Sequence, residues 1–325
     1  MTPLSRLNSF LGRHYPWFIL VFVGIGLLFC DFFNPLTSIT VPIFTVITFA
    51  NSLGGGFRDL ARAVRHPLPV LTVLLVLHVA MPSTALGLGS LLFPSEPLYT
   101  LGLVLEFSLP TAVSGLMWVG MASGSLPLYL SILLLDTLLA PFVVPVVLRV
   151  LSGSVVELDA MGMMGDLVVM VAIPAVIAMT LYDSTHGRVK ETVKPVLDPI
   201  AKMLLLLVVS INASSCAPFL RQVDRTLFLV MIVVVILCFL GYFMGFLAAA
   251  LERQKFPVTA TVSLACGMRN ISAGAVLASQ YFPAQAMFGV AFSPLFLQAI
   301  TAFVVKILLA TKTGKAWIAQ HGAPS

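Results

Sequence analysis

Apolar residues form long runs along this chain, and the polar residues between the runs occur in short clusters. A membrane-spanning helix needs about 20 mainly apolar residues. Ten stretches come close to that length and predict ten transmembrane helices, at about 16–33, 38–54, 67–93, 98–122, 126–150, 162–182, 195–215, 226–251, 257–280 and 286–311. Because the connections are short and rich in Gly, Pro and Ser, residues 1–325 are predicted to form one all-α transmembrane domain.

The fourth and ninth predicted spans are interrupted by Gly, Pro and small polar residues, in "SLPTAVSGLMWVGMASGS" (108–125) and "ACGMRNISAGAVLASQ" (265–280). Ten spans divide into two halves of five, at about 16–150 and 162–311. An odd number of spans per half inverts the second half relative to the first, so the two interrupted spans correspond. Such matched interruptions are typical of a transporter's binding site, although Gly and Pro are also common in membrane helices generally.

Composition supports an integral membrane protein surrounded by the lipid bilayer. The chain is 59% hydrophobic and 10% charged, with a mean hydropathy of +1.05, whereas soluble domains carry about 25% charged residues. The net charge of +5 lies in short loops, which argues against a nucleic-acid partner. The four cysteines are scattered without the spacing of a metal site or a disulfide framework, so no metal and no cofactor are predicted; they are Cys30, Cys216, Cys238 and Cys266.

The distribution of Lys and Arg predicts the orientation, because cytoplasmic loops carry an excess of both. With the amino terminus inside, the outside loops hold only Arg149, Arg221 and Arg225. The cytoplasmic segments hold Arg6, Arg13, Arg58, Arg62, Arg65, Arg188, Lys190, Lys194, Arg253, Lys255, Lys312 and Lys315. A multi-pass protein of the cell membrane with both termini in the cytoplasm is therefore predicted.

Four ionisable residues fall well inside predicted spans, away from the span ends: His78, Glu106, Asp136 and Arg269. A charge at mid-membrane costs about 2.5–3.5 kcal/mol on insertion scales, so each needs a partner or a function. The simplest expectation is that Arg269 pairs with Glu106 or Asp136, and a purely structural salt bridge explains such a pair as well as a functional one. Alternatively, Arg269 binds an anionic substrate through two parallel hydrogen bonds, and Glu106, Asp136 and His78 are ion-coupling groups that take up a proton.

The interrupted segments add neutral polar groups, namely Thr111, Ser114, Asn270 and Ser272. Backbone groups freed by a helix break must be satisfied by protein, water or ligand. The half-helix after Asn270 would direct its positive N-terminal end at an anion. With Arg269, these four residues are the predicted substrate-binding set.

Several segments resemble the bile acid:sodium symporter family, and the resemblance covers most of the chain. They are "FTVITFANSLGGGFRDLARAVRHP" (44–67), "HVAMP" (78–82), "PTAVSGLMWVGMASGS" (110–125) and, as the most specific match, "GMRNISAGAVLA" (267–278). The resemblance implies ten spans in two inverted halves with crossing, discontinuous helices in spans four and nine. It also implies alternating access between a core that carries both broken helices and a flatter panel.

The chain departs from this family at the residues that the resemblance assigns to sodium. The family's second broken helix typically reads Glu-Val-Gly-Met-Gln-Asn, and its glutamate and glutamine coordinate the ion. Here those positions are Ala265 and Arg269. The family's Ser-Asn pair falls at Gly115-Leu116 or Ser114-Gly115, and its further hydroxyl ligands fall at about Tyr129 and Leu133. Most of the oxygen ligands that sodium needs are missing, while Arg269 supplies a permanent cation nearby.

The resulting expectation is a secondary transporter, symporter-like, for an organic anion such as a bile acid, a steroid conjugate or a small carboxylate, with sodium coupling in doubt. The alternative is a proton-coupled or passive carrier for a small monocarboxylate. A channel or receptor is a further possibility from another class. An intramembrane enzyme fits poorly, because Asp136 stands in Leu-Asp-Thr and no aspartate-rich magnesium motif is present.

Overall fold

The computed structural model describes residues 17–19, 21–61, 67–152, 158–220 and 225–321. Over these residues the chain forms helices joined by turns, without a β-strand. Seven helices are long and apolar enough to cross a membrane: Cys30–Ser52, Pro67–Leu92, Leu126–Leu151, Ala160–Ser184, Lys194–Ser214, Arg225–Leu251 and Gln285–Ala310. An all-α protein with multiple membrane-spanning helices is thereby confirmed.

The three other predicted spans fall on shorter helices. The first corresponds to the apolar helix Trp17–Leu28. The fourth is divided into Pro97–Ser108 and Gly115–Met121, and the ninth into Phe256–Gly267 and Ile271–Tyr281. The two interruptions predicted from the sequence are therefore present, at residues 109–114 and 268–270.

The predicted boundary between the first two spans is wrong in position. The apolar pattern predicts it at about 34–37, but helical structure runs from Cys30 to Ser52, and its 34–39 portion is a 3₁₀ helix. Pro35 lies in the first turn of that 3₁₀ helix. A proline there removes no needed N–H donor, so it does not end the helix.

Two long helices contain a π-helical turn, at Val76–Ala80 and Val168–Ala172. In each case a proline follows closely, Pro82 and Pro174, and its missing N–H removes one α-helical hydrogen bond. The first of these turns carries His78, whose imidazole is buried. Widened turns of this kind often occur at functional sites, where they redirect one side chain.

We divide the helices into two sets, a panel and a core group, which also contact each other where Ala160–Ser184 packs against Leu126–Ser152. The panel consists of Cys30–Ser52, Ala160–Ser184 and Lys194–Leu220, in which the first helix packs on both others. The core group holds both interrupted helices, together with Pro67–Leu92, Leu126–Ser152, Arg225–Leu251 and Phe288–Ala310. Short helices precede or follow these at Phe57–Ala61, Arg188–Thr192, Ala284–Met287 and Lys312–His321. The functional candidates lie mainly in the core group.

Four half-helices and one neighbouring helix carry most of these candidates. In chain order, α1 is Pro97–Ser108, α2 is Gly115–Met121, α3 is Leu126–Ser152, α4 is Phe256–Gly267 and α5 is Ile271–Tyr281. The first break is residues 109–114, between α1 and α2. The second break is residues 268–270, between α4 and α5. Both α1 and α4 end at a residue with extended backbone, Leu109 and Met268, and the proline after Leu109 favours that conformation.

Candidate functional site

The two breaks touch each other through backbone groups. The Asn270 N–H donates to the Pro110 carbonyl at 2.8 Å. The Thr111 hydroxyl donates to the Ala265 carbonyl at 3.0 Å. Each break therefore satisfies part of the other's freed backbone. The interrupted regions form one continuous polar site within an otherwise apolar bundle.

The first break is held by side chains from neighbouring helices. Asp136 on α3 accepts a hydrogen bond from the Thr111 N–H at 2.7 Å through Oδ2. Its Oδ1 lies 2.6 Å from Nε2 of His78. Asp136 is fully buried and His78 is buried beside it. Both oxygens of this carboxylate are consequently engaged within the protein.

Tyr129, also on α3, contacts the same break. Its hydroxyl donates to the Ala112 carbonyl at 2.6 Å and lies 3.1 Å from Oγ1 of Thr111. A Cβ atom at Gly115 would lie 1.8 Å from this hydroxyl. Glycine is therefore required where α2 begins, because any side chain would displace Tyr129.

The second break is held largely by its own residues. Nη1 of Arg269 donates to the carbonyls of Cys266 and Met268, at 2.6 and 3.2 Å. Its guanidinium carbon lies 5.8 Å from the ring centroid of Phe107, which is within the range of a cation–π contact. These carbonyls lie at the C-terminal end of α4, where the helix dipole is negative and favours a cation. The positive charge of Arg269 thus stabilises the C-terminal end of α4.

Asn270 caps the other side of the second break. Its Oδ1 accepts from the Ala273 N–H at 3.3 Å at the start of α5. Asparagine is among the residues preferred at this position, because its side chain satisfies one of the unpaired N–H groups of the first turn. Arg269 and Asn270 together end one helix and begin the next.

Glu106, near the end of α1, lies beside the second break without a direct partner. The side chain is fully buried, and neither carboxylate oxygen accepts a hydrogen bond. Arg269 acts on it through its charge, and the Ser293 hydroxyl lies close enough to influence it as a hydrogen-bonding group, although the two do not meet the geometry of a hydrogen bond. The Ser293 hydroxyl and the Nε and Nη2 atoms of Arg269 are also buried and unpartnered. This group of unsatisfied polar atoms stands out against the fully bonded Asp136.

The expected direct pairing of Arg269 with Glu106 or Asp136 is therefore wrong. Arg269 donates its hydrogen bonds to two carbonyls, and Asp136 is bonded to His78 and Thr111. The arginine interacts with both carboxylates only through the longer-range electrostatic field. The physical reason is the helix break, because its freed carbonyls lie closer to the guanidinium than either acid.

The five predicted substrate-binding residues differ in accessibility. Thr111 and Arg269 are buried, Asn270 and Ser272 are partly buried, and Ser114 is exposed. The predicted ion-coupling residues His78, Glu106 and Asp136 are all buried. The structure brings Thr111, Asp136 and His78 into one hydrogen-bonded chain and keeps Glu106 separate from it.

Sequence reasoning missed several residues of the site. Tyr242 packs its ring where a Cβ atom at Gly267 would lie, 2.1 Å away, and its hydroxyl lies 2.6 Å from that of Thr301. Ser293 was also missed, since a single serine in an apolar helix carries little signal. Among the described residues, no group of three or more His, Cys, Asp or Glu is placed to hold a metal ion.

Comparison with known proteins identifies a family and several relatives. A model of the sodium bile acid symporter family matches residues 41–222. The uncharacterized protein YbaS of Bacillus subtilis is 37% identical over 280 residues, which cover 86% of this chain and 92% of that protein. The uncharacterized sodium-dependent transporter YocS of the same organism is 24% identical over 87% of this chain and 86% of its own. A probable sodium/metabolite cotransporter of Arabidopsis chloroplasts, BASS1, is 26% identical over 79% of this chain and 63% of its own.

The family model covers more than half of the chain, and relatives are named as transporters and cotransporters, not as enzymes. The family resemblance drawn from the sequence and the expectation that the chain is not an enzyme are thereby confirmed. The chain belongs to the sodium bile acid symporter family and is a multi-pass membrane transport protein.

Proposed function

We propose that this protein is a secondary transporter that moves an organic anion across the cell membrane without coupling to sodium. The observation that carries the proposal is the bonding of Arg269 to the Cys266 and Met268 carbonyls at the second break. We place the panel and the core on opposite sides of the substrate path and let them move against each other in alternating access. Ten spans in two inverted halves, with both termini inside, belong to this proposal.

The carbonyls of the second break are already bonded, which disfavours sodium coupling. In transporters with discontinuous helices, unwound carbonyls and the C-terminal ends of half-helices coordinate the coupling cation. In this chain a guanidinium occupies that role, because it donates to two carbonyls at the end of α4. Residue 265, where the family resemblance implies an anionic ligand, is Ala265. Relatives named as sodium-dependent therefore do not carry sodium coupling over to this protein.

The positive charge of Arg269 favours an anionic substrate. Arg269 has two nitrogen atoms, Nε and Nη2, that no protein group satisfies. Next to it, the N-terminal end of α5 presents the positive end of a helix dipole. Asn270, Ser272 and Ser114 add polar groups that are partly or fully accessible. A carboxylate or sulfonate group matches this combination of charge and donors, as in a bile acid, a steroid conjugate or a small monocarboxylate.

Coupling to protons, or passive transport, takes the place of sodium coupling in this proposal. Glu106, Asp136 and His78 are buried acidic and imidazole groups near the breaks and are the candidates for the ion-coupling group. Proton coupling predicts that a pH gradient drives uptake, whereas passive transport predicts exchange alone.

A thermal-shift screen on the purified protein tests this proposal directly. Taurocholate, pantoate and pyruvate serve as probes, each in sodium chloride and in choline chloride. We expect at least one probe to raise the melting temperature equally in both salts, and sodium alone to leave it unchanged. Stabilisation by sodium alone, or uptake into proteoliposomes driven by a sodium gradient, would refute the sodium-independent mechanism.

A double variant provides the matched control. Ala265→Glu combined with Arg269→Gln restores the two residue types that the family resemblance assigns to sodium. We expect this variant to gain a sodium-dependent rise in melting temperature and to lose stabilisation by the anionic probe. Arg269→Lys keeps the positive charge without the planar fork, and we expect it to remain insensitive to sodium.

A further inference from the structure

We infer that Glu106, rather than Asp136, is the proton-binding carboxylate of this protein, with Ser293 and Arg269 as the groups that receive its neutral and ionised forms. Its link to transport rests on the function proposed above. Two fully buried carboxylates in neighbouring helices differ in their bonding. Both oxygens of Asp136 are hydrogen-bonded, and neither oxygen of Glu106 is.

Asp136 has no unengaged oxygen at which a new partner could bind, because both of its oxygens are already bonded. Oδ2 accepts from the Thr111 N–H, which requires a lone pair on that oxygen. Oδ1 contacts Nε2 of His78, so a proton on this pair would be shared with the imidazole. The remaining nitrogen of that imidazole, Nδ1, is buried without an acceptor.

Glu106 has the opposite surroundings. Its carboxylate is removed from water and accepts no hydrogen bond, which disfavours the ionised form unless a cation is close. The one cation acting on it is Arg269, which is held at the second break by two carbonyls. The neighbouring Ser293 hydroxyl has an unused lone pair and an unused hydrogen. Each protonation state of Glu106 therefore has a partner within the site.

The titratable groups on the helices packed around α1 fall into three sets. Arg269 acts on Glu106, together with the neutral Ser293 hydroxyl. The Cys238 thiol is close enough to be influenced by Glu106, Arg269 and Ser293. His78, Tyr129 and Asp136 form their own hydrogen-bonded chain at the first break. The others on these helices are Arg149, Arg225, Tyr242, Tyr281 and Lys306, of which Tyr242 is bonded to Thr301 and Tyr281 to Asp166.

The proton step forms one O–H bond on Glu106 and exchanges the partner of its carboxyl group. A proton from bulk water adds to one carboxylate oxygen of Glu106, and the new O–H donates to the Ser293 hydroxyl oxygen. When the proton leaves, the carboxylate turns to the unsatisfied Nε and Nη2 atoms of Arg269. Protonation thus leaves Arg269 uncompensated and favours anion binding at the second break. The proton and the anion would bind together, as a proton-coupled symporter requires.

Infrared difference spectroscopy tests the proton site without any substrate. Spectra of the purified wild-type protein are recorded between acid and alkaline pH within the range in which it stays folded. We expect a carboxylic acid C=O band from a buried acid. The band should be lost in Glu106→Gln, which keeps the shape of the side chain, and retained in Asp136→Asn, which is the matched control.

Three outcomes would overturn the inference: a wild-type spectrum without this band, a band that persists in Glu106→Gln, or a band that disappears in Asp136→Asn. Ser293→Ala provides a second test if Glu106→Gln folds poorly. It should keep the band but move its frequency, because the acid loses its acceptor, and an unmoved band would contradict the assigned partner. Counterflow of labelled taurocholate, pantoate or pyruvate in proteoliposomes is measured separately. Failed counterflow with an intact Glu106 band would reject the transport proposal and leave the proton site standing.

Discussion

The two breaks solve the same problem in different ways. The first break takes its support from outside, because Asp136 and Tyr129 on α3 satisfy the Thr111 N–H and the Ala112 carbonyl. The second break supports itself, because Arg269 bonds the carbonyls before it and Asn270 caps the helix after it. Unpaired backbone groups in an apolar bundle leave no third solution apart from water or ligand.

This difference separates stability from function. The first break is hydrogen-bonded to the neighbouring helix α3, so the loss of these bonds should unfold the site. Support from residues within the break leaves the second one free of such a tie, and it carries the unsatisfied donors. We therefore expect substitutions at the first break to lower stability most, and those at the second to lower anion binding most.

The largest effect on stability is expected from Asp136→Ala. It leaves the Thr111 N–H and His78 buried without their acceptor, and breaking a buried pair of this kind costs about 3–5 kcal/mol. Thermal unfolding of the purified protein measures the loss. Asp136→Asn is the control, because its amide oxygen still accepts from Thr111 and should preserve much of the stability. Equal losses in both variants would show that the charge, not the acceptor, holds the break.

Arg269→Ala should have the largest effect on binding. We expect stabilisation by the anionic probe to disappear, since the positive charge at the second break is gone. Stability should fall by about 1–3 kcal/mol, because two carbonyls lose a charged donor. Probe-dependent melting curves of this variant and of Asp136→Asn separate the two effects. If Arg269→Ala loses only stability and still binds the probe, the guanidinium is structural.

Tyr129→Phe tests the support that α3 gives to the first break. The variant keeps the ring but leaves the Ala112 carbonyl without its donor, at a cost of about 1–3 kcal/mol. Tyr242→Phe is the matched change beside the second break, where only the contact with Thr301 is lost. We expect a greater loss for Tyr129→Phe in parallel thermal melts. The reverse order would mean that the first break does not depend on α3 for its support.

The smallest effect is expected from Asn270→Ala. Loss of a helix N-cap costs about 1 kcal/mol, and the backbone bond from Asn270 to Pro110 is retained. Asn270→Ser keeps a capping oxygen and should melt close to the wild type. A much larger loss in Asn270→Ala would indicate that its side chain does more than begin α5.

Much of the site could be anticipated from residue types alone. Arg269 and Asn270 lie in a three-residue stretch between Gly267 and an apolar helix, so the break itself is a local feature of the sequence. Pro110 likewise marks the first break, because proline restricts the residue before it. The exact partners at the first break could not be anticipated. Asp136 and Tyr129 lie on α3, and the half-helix α2 separates both from Thr111 in the chain.

Residue types along the chain were enough to establish the membrane location, the interruptions in the fourth and ninth predicted spans, and the presence of a cation where the family resemblance implies a sodium ligand. These features depend on composition, on Gly and Pro, and on one residue type, and they need no knowledge of neighbours. The packed helices were needed to show that Arg269 bonds carbonyls and not an acid, that Asp136 is fully bonded, and that Glu106 is not. Hydrogen bonding of a buried charge depends on which groups lie within about 3 Å of it. For Asp136 and Glu106, packing between distant segments sets that distance, whereas Arg269 bonds carbonyls that are near it in the chain.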